Sequence, residues 1–325
     1  MKKTAKRAGL RKALPLVIGL ATVGGFFVAV RHTGASLEAA TSPQWAPLAG
    51  AFAISALVQP LRALAWAFAL GERMCFHSIF AASSVGSFLD TVLPGRLGEA
   101  SKIAVLRVAS GGGKQWPGAA RAGGALVTSL LLEAVAFALV GAVAAPFLPL
   151  PVWAKLAVVG SCLLALAGLA ALSVLHRTVG QRLPKVLASF VAGAAAPLPV
   201  LVKGGLIMLS TWIARWFALL FVLHAYGVQV GLGGALLYMI VTGLANVAPL
   251  LPGNAGIYQG AAVGVLAVLG HAGSGRVAVS LAAPIVGSLA TATAAFIALA
   301  LFGRRFREVL RAALRGRTAP AGAAA

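Results

Sequence analysis

The chain has 325 residues, of which 60% are hydrophobic and only 10% are charged, whereas soluble domains carry about 25% charged residues. Its 27 basic and six acidic residues give a formal net charge of +21, but they lie between long apolar runs, where positive-inside topology and anionic lipid explain them better than nucleic acid does. The composition therefore excludes an ordinary soluble domain and predicts an all-α polytopic membrane protein.

The amino-terminal segment, residues 1–12, is basic and is predicted to be cytoplasmic. The apolar run that follows, from Leu14 to Val30, is long for a signal peptide and is followed by no clear small-x-small cleavage site. We therefore expect an uncleaved first membrane span.

Six apolar stretches reach the length of about 20 residues that a helix needs to cross a ~30 Å hydrocarbon core. They cover residues 13–31, 47–70, 122–145, 153–175, 205–226 and 277–302. Residues 13–302 are therefore predicted to form a single transmembrane domain, followed by a basic, disordered cytoplasmic tail over 303–325.

Two further apolar segments, 76–110 and 235–270, are interrupted by proline and glycine and are each predicted to be a pair of short helices. Both ends of the chain are rich in Lys and Arg, which predicts cytoplasmic termini and an even number of crossings. If both segments are re-entrant hairpins, six full spans remain, and the hairpins enter from opposite faces as an inverted repeat. Two crossings by each segment, or one crossing by each, would also keep the number of crossings even. One crossing by each would place the basic residues from Arg96 to Arg121 outside.

Each broken segment contains the pattern LPGxxG, in VLPGRLGEASK (Val92–Lys102) and in LLPGNAGIYQG (Leu250–Gly260). Proline ends a helix, glycine permits unusual backbone conformations, and the next helix begins with unpaired N–H groups that attract anions. Non-helical backbone at membrane depth must be buried in protein or line a wet cavity. Both a substrate cavity and a simple kink packed by glycines are consistent with the pattern.

Three of the six acidic residues, Asp90, Glu99 and Glu133, lie in or beside apolar segments, where ionisable groups are costly and usually functional. With a helix beginning near Leu97, Glu99 falls in its first turn, where it can also simply favour the helix dipole. Arg96 suits a lipid phosphate because its planar fork can hold two oxygens. The alternative is an internal pair of Arg96 with Glu99 or Asp90.

Two arginines, Arg62 and Arg215, lie inside predicted spans. Arg62 is close enough to a cytoplasmic end to extend its charge to the interface, and Arg215 could form a buried pair with Glu133. Because any transport must run downhill or be coupled to an ion or the membrane potential, Glu99, Asp90 and Glu133 are candidate proton carriers.

Signs of enzyme chemistry are missing from the sequence. The five histidines have no metal-ligand spacing, no nucleophile has a neighbouring base, and no nucleotide-binding loop is present. Cys75 and Cys162 offer neither a disulfide framework nor a metal cluster and are expected to be buried. We predict no catalytic residues, no cofactor and no metal.

At the two motifs the chain resembles the lysylphosphatidylglycerol synthase transmembrane family, also described as flippase-like. The first family region, Asn-x-x-Leu-Pro-x-Arg-x-Gly-Glu-x-x-Arg, is matched by Asp90, Leu93, Pro94, Arg96, Gly98, Glu99 and Lys102, with Asp for Asn and Lys for the last Arg. The second, Pro-x-x-Pro-Gly-Gly-x-Gly-x-x-Glu, is matched by Pro249, Pro252, Gly253, Asn254, Gly256 and Gln259, with Asn for Gly and Gln for Glu. Because Gln259 replaces the acid of the second region, the sequence argues against any mechanism that needs a carboxylate at this position.

The resemblance implies the role of the family's membrane part, which is to move a lipid between leaflets. It also implies no aminoacyl transfer, since the large soluble domain of the bifunctional members has no counterpart in the basic tail. The predicted lipid is an anionic phospholipid, an aminoacyl-lipid or a polyprenyl- or hopanoid-type lipid, in the cell membrane. The alternatives are a scaffold that recruits an enzyme of a lipid or envelope pathway and, less favoured, an enzyme acting on headgroups.

The predicted site has two parts. The residues expected to contact a headgroup or line its cavity are Asp90, Pro94, Gly95, Arg96, Gly98, Glu99, Lys102, Pro252, Gly253, Asn254, Gly256 and Gln259. The residues expected to couple charge are Arg62, Glu133 and Arg215.

Overall fold

The computed structural model describes residues 43–71, 74–92, 97–111, 116–148, 152–179, 182–245, 256–271 and 274–301. Within these ranges the fold is all-helical, with ten α-helices and no strand. The helices are α1 (Trp45–Leu70), α2 (Phe76–Val92), α3 (Leu97–Ala109), α4 (Ala119–Ala144), α5 (Val152–Val179), α6 (Lys185–Ala194), α7 (Leu198–Ala225), α8 (Leu232–Ala245), α9 (Ile257–Val268) and α10 (Ser274–Leu301). The predicted span 13–31 and the predicted tail 303–325 lie outside the described residues.

Five of these helices, α1, α4, α5, α7 and α10, are long and apolar enough to cross a membrane. They coincide with five of the six stretches predicted from apolar run length, each boundary falling within several residues of the predicted one. The all-helical, membrane-spanning fold class is therefore confirmed.

Each broken segment contains two short helices, as the prolines and glycines predicted. The first consists of α2 and α3, which have 17 and 13 residues, and the second of α8 and α9, which have 14 and 12. At about 1.5 Å per residue, α3, α8 and α9 are about 18 to 21 Å long, which is less than the ~30 Å hydrocarbon core. Re-entry of the two pairs stays a prediction.

Glycines with positive φ precede two of the helices. Gly118 (φ 89°) precedes α4 and Gly256 (φ 88°) precedes α9, and backbone of this kind is costly for any residue with a Cβ. Gln259 lies in the first turn of α9, and its side-chain oxygen accepts the Gly256 N–H at 2.6 Å. Gly256 and Gln259 together therefore start α9.

The chain divides into two compact units that alternate along the sequence. Among the described residues, the first comprises those within Met1–Phe52, Leu89–Leu97 and Trp216–Ser288, and the second comprises those within Ala53–Phe88, Gly98–Arg215 and Leu289–Ala325. In the first, the Trp216 indole N–H donates to the Leu232 carbonyl at 3.2 Å, and the Tyr238 and Tyr258 rings meet edge to face. These contacts join α7 to α8 and α8 to α9.

In the second unit a small apolar core joins four helices. Its buried members are Ala65 of α1, Leu132 and Ala136 of α4, Leu169 of α5 and Met208 of α7. Three of the five are larger than alanine, and the two alanines let the helices approach closely. This core holds α1, α4 and α7 beside one another, which positions the charged residues described below.

The sequence analysis did not predict helix α6, which lies between two of the predicted spans. It begins directly after Pro184, and it packs on α4 through two glycines. A Cβ on Gly124 would collide with the Phe190 carbonyl oxygen, and one on Gly193 would collide with the Arg121 carbonyl oxygen. The Thr128 hydroxyl adds a 2.7 Å bond to the Ala194 carbonyl.

The burial predicted for the cysteines is wrong. Cys75 is exposed and Cys162 is partly exposed. Cys75 lies just before α2 begins, and Cys162 lies on α5, the least buried of the five spans.

We expect Gly124→Ala and Gly193→Ala each to destabilise the protein by about 1 to 3 kcal/mol, because the new methyl group forces α4 and α6 apart. Thermal unfolding in detergent measures the effect. Gly160→Ala on α5 is the control, since a Cβ there meets nothing within 4 Å; equal stability of all three variants would contradict the close α4–α6 packing.

Candidate functional site

Five charged side chains from four helices form a connected network within the second unit. Arg62 comes from α1, Glu99 and Lys102 from α3, Glu133 from α4 and Arg215 from α7. We call this set the ion network. Apart from Glu99 and Lys102, which are three residues apart on α3, its members are far apart in the sequence, so helix packing brings them together.

Glu133 is at the centre of the network because each of its carboxylate oxygens binds a different arginine. Oε2 accepts from Arg62 Nη2 at 2.7 Å, and Oε1 accepts from Arg215 Nη1 at 3.2 Å. The Glu133 side chain is 15% exposed. Charges this deeply buried in an apolar helical protein are tolerated only when they are paired and hydrogen-bonded.

Aromatic side chains hold the Arg215 end of the network. The Arg215 guanidinium lies over the Trp212 ring, 4.6 Å from its centroid, which is the geometry of a cation–π contact. The Trp212 indole N–H donates to the Glu133 backbone carbonyl at 3.2 Å, and the Phe137 ring packs on Trp212 at a centroid distance of 4.6 Å. Trp212 therefore fixes the orientation of Arg215 relative to α4.

The α3 end of the network is the pair formed by Glu99 and Lys102. Lys102 Nζ donates to Glu99 Oε1 at 2.6 Å, and the same oxygen lies 3.9 Å from Arg62 Nη2. The Lys102 side chain is only 3% exposed and passes over Gly86 of α2, where a Cβ would collide with Lys102 Cγ. Gly86 therefore makes room for a buried lysine.

The ion network contains three cations and two carboxylates, so its described members carry one net positive charge. The cations differ in access: Arg215 is 31% exposed, Arg62 is 15% exposed, and Lys102 is almost fully buried. Arg215 is therefore the cation most open to a ligand.

The structure brings together only part of the predicted site. Glu99, Lys102, Arg62, Glu133 and Arg215 meet in the ion network, and the start of α3 at Leu97 places Glu99 in the first turn as predicted. Six predicted residues lie outside the described residues, namely Pro94, Gly95, Arg96, Pro252, Gly253 and Asn254.

The remaining predicted residues lie elsewhere. Asp90 is partly buried in the last turn of α2, and the Gly98 carbonyl accepts from the Ser101 hydroxyl at 2.7 Å. Gly256 and Gln259 form the start of α9. In the first unit, Gln259 thus has a structural role where the sequence suggested a headgroup contact, although the two roles do not exclude each other.

Arg62 does not extend to the interface as predicted. Its guanidinium turns inward to Glu133, and Nη1 also lies 3.5 Å from the Ser87 hydroxyl of α2. Ser87 and Trp212 were missed by the sequence analysis. A signal for Trp212 was available, because it precedes Arg215 by three residues and therefore shares its helix face.

In the part of the chain that the structure describes, no three His, Cys, Asp or Glu side chains are placed to bind a metal ion.

A family model described as the lysylphosphatidylglycerol synthase TM region matches residues 13–290. The chain belongs to this family. A comparison with curated proteins gives no match. The chain's five apolar helices make it a multi-pass membrane protein, and the family connects it with lipid metabolism.

We expect Glu133→Gln to destabilise the protein by about 3 to 5 kcal/mol, because it leaves two buried arginines without their common carboxylate. Thermal unfolding in detergent measures the loss. Adding Arg215→Met to Glu133→Gln should recover part of it, since one unpaired charge is then removed. Additive effects of the two substitutions would show that Glu133 and Arg215 are not energetically coupled.

Proposed function

We propose that this protein is a lipid translocase that moves a lipid with an anionic headgroup between the leaflets of the cell membrane. The observation that supports this best is the ion network, whose described members carry a net positive charge among apolar helices. An intramembrane charge of this kind is costly and marks a substrate or ion pathway more often than a structural contact.

The chemistry of the network suits a phosphate-bearing headgroup. Arg215 uses one nitrogen for Glu133 and lies over the Trp212 ring, which leaves other donors of its planar fork available to a second anion. Its position is set before a ligand arrives, so binding does not require ordering of a long side chain. The lipid tails would remain in the surrounding bilayer.

The two broken segments supply the second line of support. Three of their four helices are too short to cross the hydrocarbon core, and each segment carries an LPGxxG motif between its helices. We propose that both segments re-enter, that they line the lipid pathway, and that both chain termini are cytoplasmic. The protein binds lipid without catalysing a covalent step, and an enzyme of a lipid pathway is a further candidate partner.

Leaflet exchange of fluorescent lipids in proteoliposomes tests the proposal. We expect exchange of lipids with anionic headgroups to fall at least tenfold in Arg215→Gln, a loss of about 1.4 kcal/mol or more in the free energy of the transition state. Arg107→Gln on α3 is the matched control, because Arg107 is an exposed cation outside the ion network. It should exchange lipid at the unmodified rate.

Two outcomes would contradict lipid transport through the network. One is an absence of exchange for every anionic headgroup by folded, unmodified protein, which would favour a scaffold. The other is equal exchange by Arg215→Gln and Arg107→Gln, which would place the pathway elsewhere. Exchange is compared at a temperature at which thermal unfolding shows both variants to be folded, since loss of fold would imitate loss of transport.

Re-entry of the first broken segment has a separate test. Native Cys75 is exposed just before α2, and Gly111 is exposed just after α3. If the segment turns back, Cys75 and an introduced Gly111→Cys should react with an impermeant thiol reagent from the same side of the membrane. Reaction from opposite sides would show that the segment crosses the membrane once.

A further inference from the structure

Exposed cations lie together at one end of the second unit. They are Arg121 of α4, Arg177 of α5, Arg182 just before α6 and Lys185 in the first turn of α6. We call this set the basic end. The described carboxylates of the second unit are Glu99 and Glu133, and both belong to the ion network. No described carboxylate therefore neutralises the basic end.

Helix packing brings these four cations to the same end. Helices α4 and α5 are consecutive and joined by a short connection, so they run in opposite directions and the end of α5 returns to the start of α4. A Cβ on Gly168 of α5 would lie 3.7 Å from the Leu131 side chain of α4, and Arg121 and Arg177 are about equally far from that contact. Helix α6 packs on the first two turns of α4, so its own first turn lies near the same end.

The basic end lies about half a membrane thickness from the ion network. Arg121 precedes Glu133 by 12 residues on α4, and Arg177 follows Leu169 of the apolar core by eight residues on α5. At about 1.5 Å per residue these intervals are about 18 and 12 Å, and half of the hydrocarbon core is about 15 Å. With the ion network and the apolar core near the midplane, the basic end therefore reaches the headgroups of one leaflet.

The start of α6 combines charge with exposed apolar surface. Next to the exposed Arg182 and Lys185, the side chains of Val186 and Leu187 are 74% and 47% exposed. The second half of α6 is largely buried, so the first turn is the part that projects from the bundle. Segments that lie in a membrane interface have this composition, because apolar side chains enter the acyl boundary while cations meet the phosphates. Trp116, partly exposed just before α4, is of a residue type that is enriched at that level.

We propose that the basic end is a binding surface for anionic lipid in the leaflet that it faces, with the first turn of α6 embedded among the headgroups. The four cations bind lipid phosphates, and Val186 and Leu187 enter the acyl boundary. An acidic soluble protein would match the charge of this surface, but it would not explain the exposed apolar side chains beside the cations or their distance from the ion network. The surface binds lipid whether or not the protein moves lipid between leaflets.

Fluorescence quenching in proteoliposomes tests the depth of α6. Leu187→Cys is introduced into a protein that lacks Cys75 and Cys162 and is labelled with bimane, and lipids carry a nitroxide either near the headgroup or deep in the acyl chain. Leu164→Cys is the control, because Leu164 is midway along α5 and 75% exposed. We expect the shallow nitroxide to quench the label at position 187 several-fold more than the deep one does, and the reverse at position 164. A label at position 187 that neither nitroxide quenches would overturn the proposal and favour an acidic soluble partner.

A second measurement tests the charge of the bound lipid. With the shallow nitroxide on phosphatidylglycerol, the label at position 187 should be quenched at least twofold more than with the same nitroxide on phosphatidylcholine. Leu156→Cys is the matched control, since Leu156 is 66% exposed in the first half of α5, where Lys155 is the single cation. Adding Arg182→Gln and Lys185→Gln should abolish the preference at position 187.

An equal preference at positions 187 and 156, or a preference that survives the two added substitutions, would contradict the proposed surface. Quenching is measured at equilibrium and does not involve lipid exchange. Preference for the anionic lipid without exchange would therefore reject only the proposed transport, and exchange without the preference would reject only the binding surface.

Discussion

The pairing of one carboxylate with two arginines is the interaction on which the second unit depends. Glu133 lies between Arg62 and Arg215, so α4 is tied by charge to α1 on one side and to α7 on the other. The apolar core uses the same helices at adjacent positions: Leu132 is next to Glu133, and Ala65 follows Arg62 by less than one turn. Apolar packing brings the helices together, and the charges then fix their register, because a sliding helix would separate a buried ion pair at great cost.

Helix α3 joins this arrangement through the second half of the first motif. Lys102 stands where the family pattern has arginine, and it makes a single short contact with one Glu99 oxygen. A lysine is a compact point charge, whereas an arginine would offer a planar fork to two acceptors. The narrow passage over Gly86 accommodates the lysine stem. In this chain, Glu99 and Lys102 thus serve first as each other's partners, and the more exposed Arg215 is better placed to meet a ligand.

The sequence predicted the elements well and their contacts poorly. Apolar run length identified five spans, and proline with glycine identified both pairs of short helices, because both signals are local. Helix α6 was missed because ten residues between two spans carry too little apolar length to stand out. The inward turn of Arg62 was missed for a different reason: its distance from an interface can be counted along the chain, but its partner Glu133 is 71 residues away and only the fold places it.

In the second motif, the role of the substituted residue Gln259 follows from the hydrogen bond that its side chain makes. Gln259 replaces the acid of the family pattern, and this replacement argues against any mechanism that needs a carboxylate at that position. The structure gives the position a role that a neutral side chain fulfils, since the amide oxygen of Gln259 accepts the Gly256 N–H and begins α9. A glutamate could accept the same bond and would add a negative charge at a helix amino terminus. Gln259 therefore retains the hydrogen-bond acceptor of the family's glutamate but not its negative charge. If a mechanism in this chain needs a buried carboxylate, Glu99 and Glu133 of the ion network can supply it.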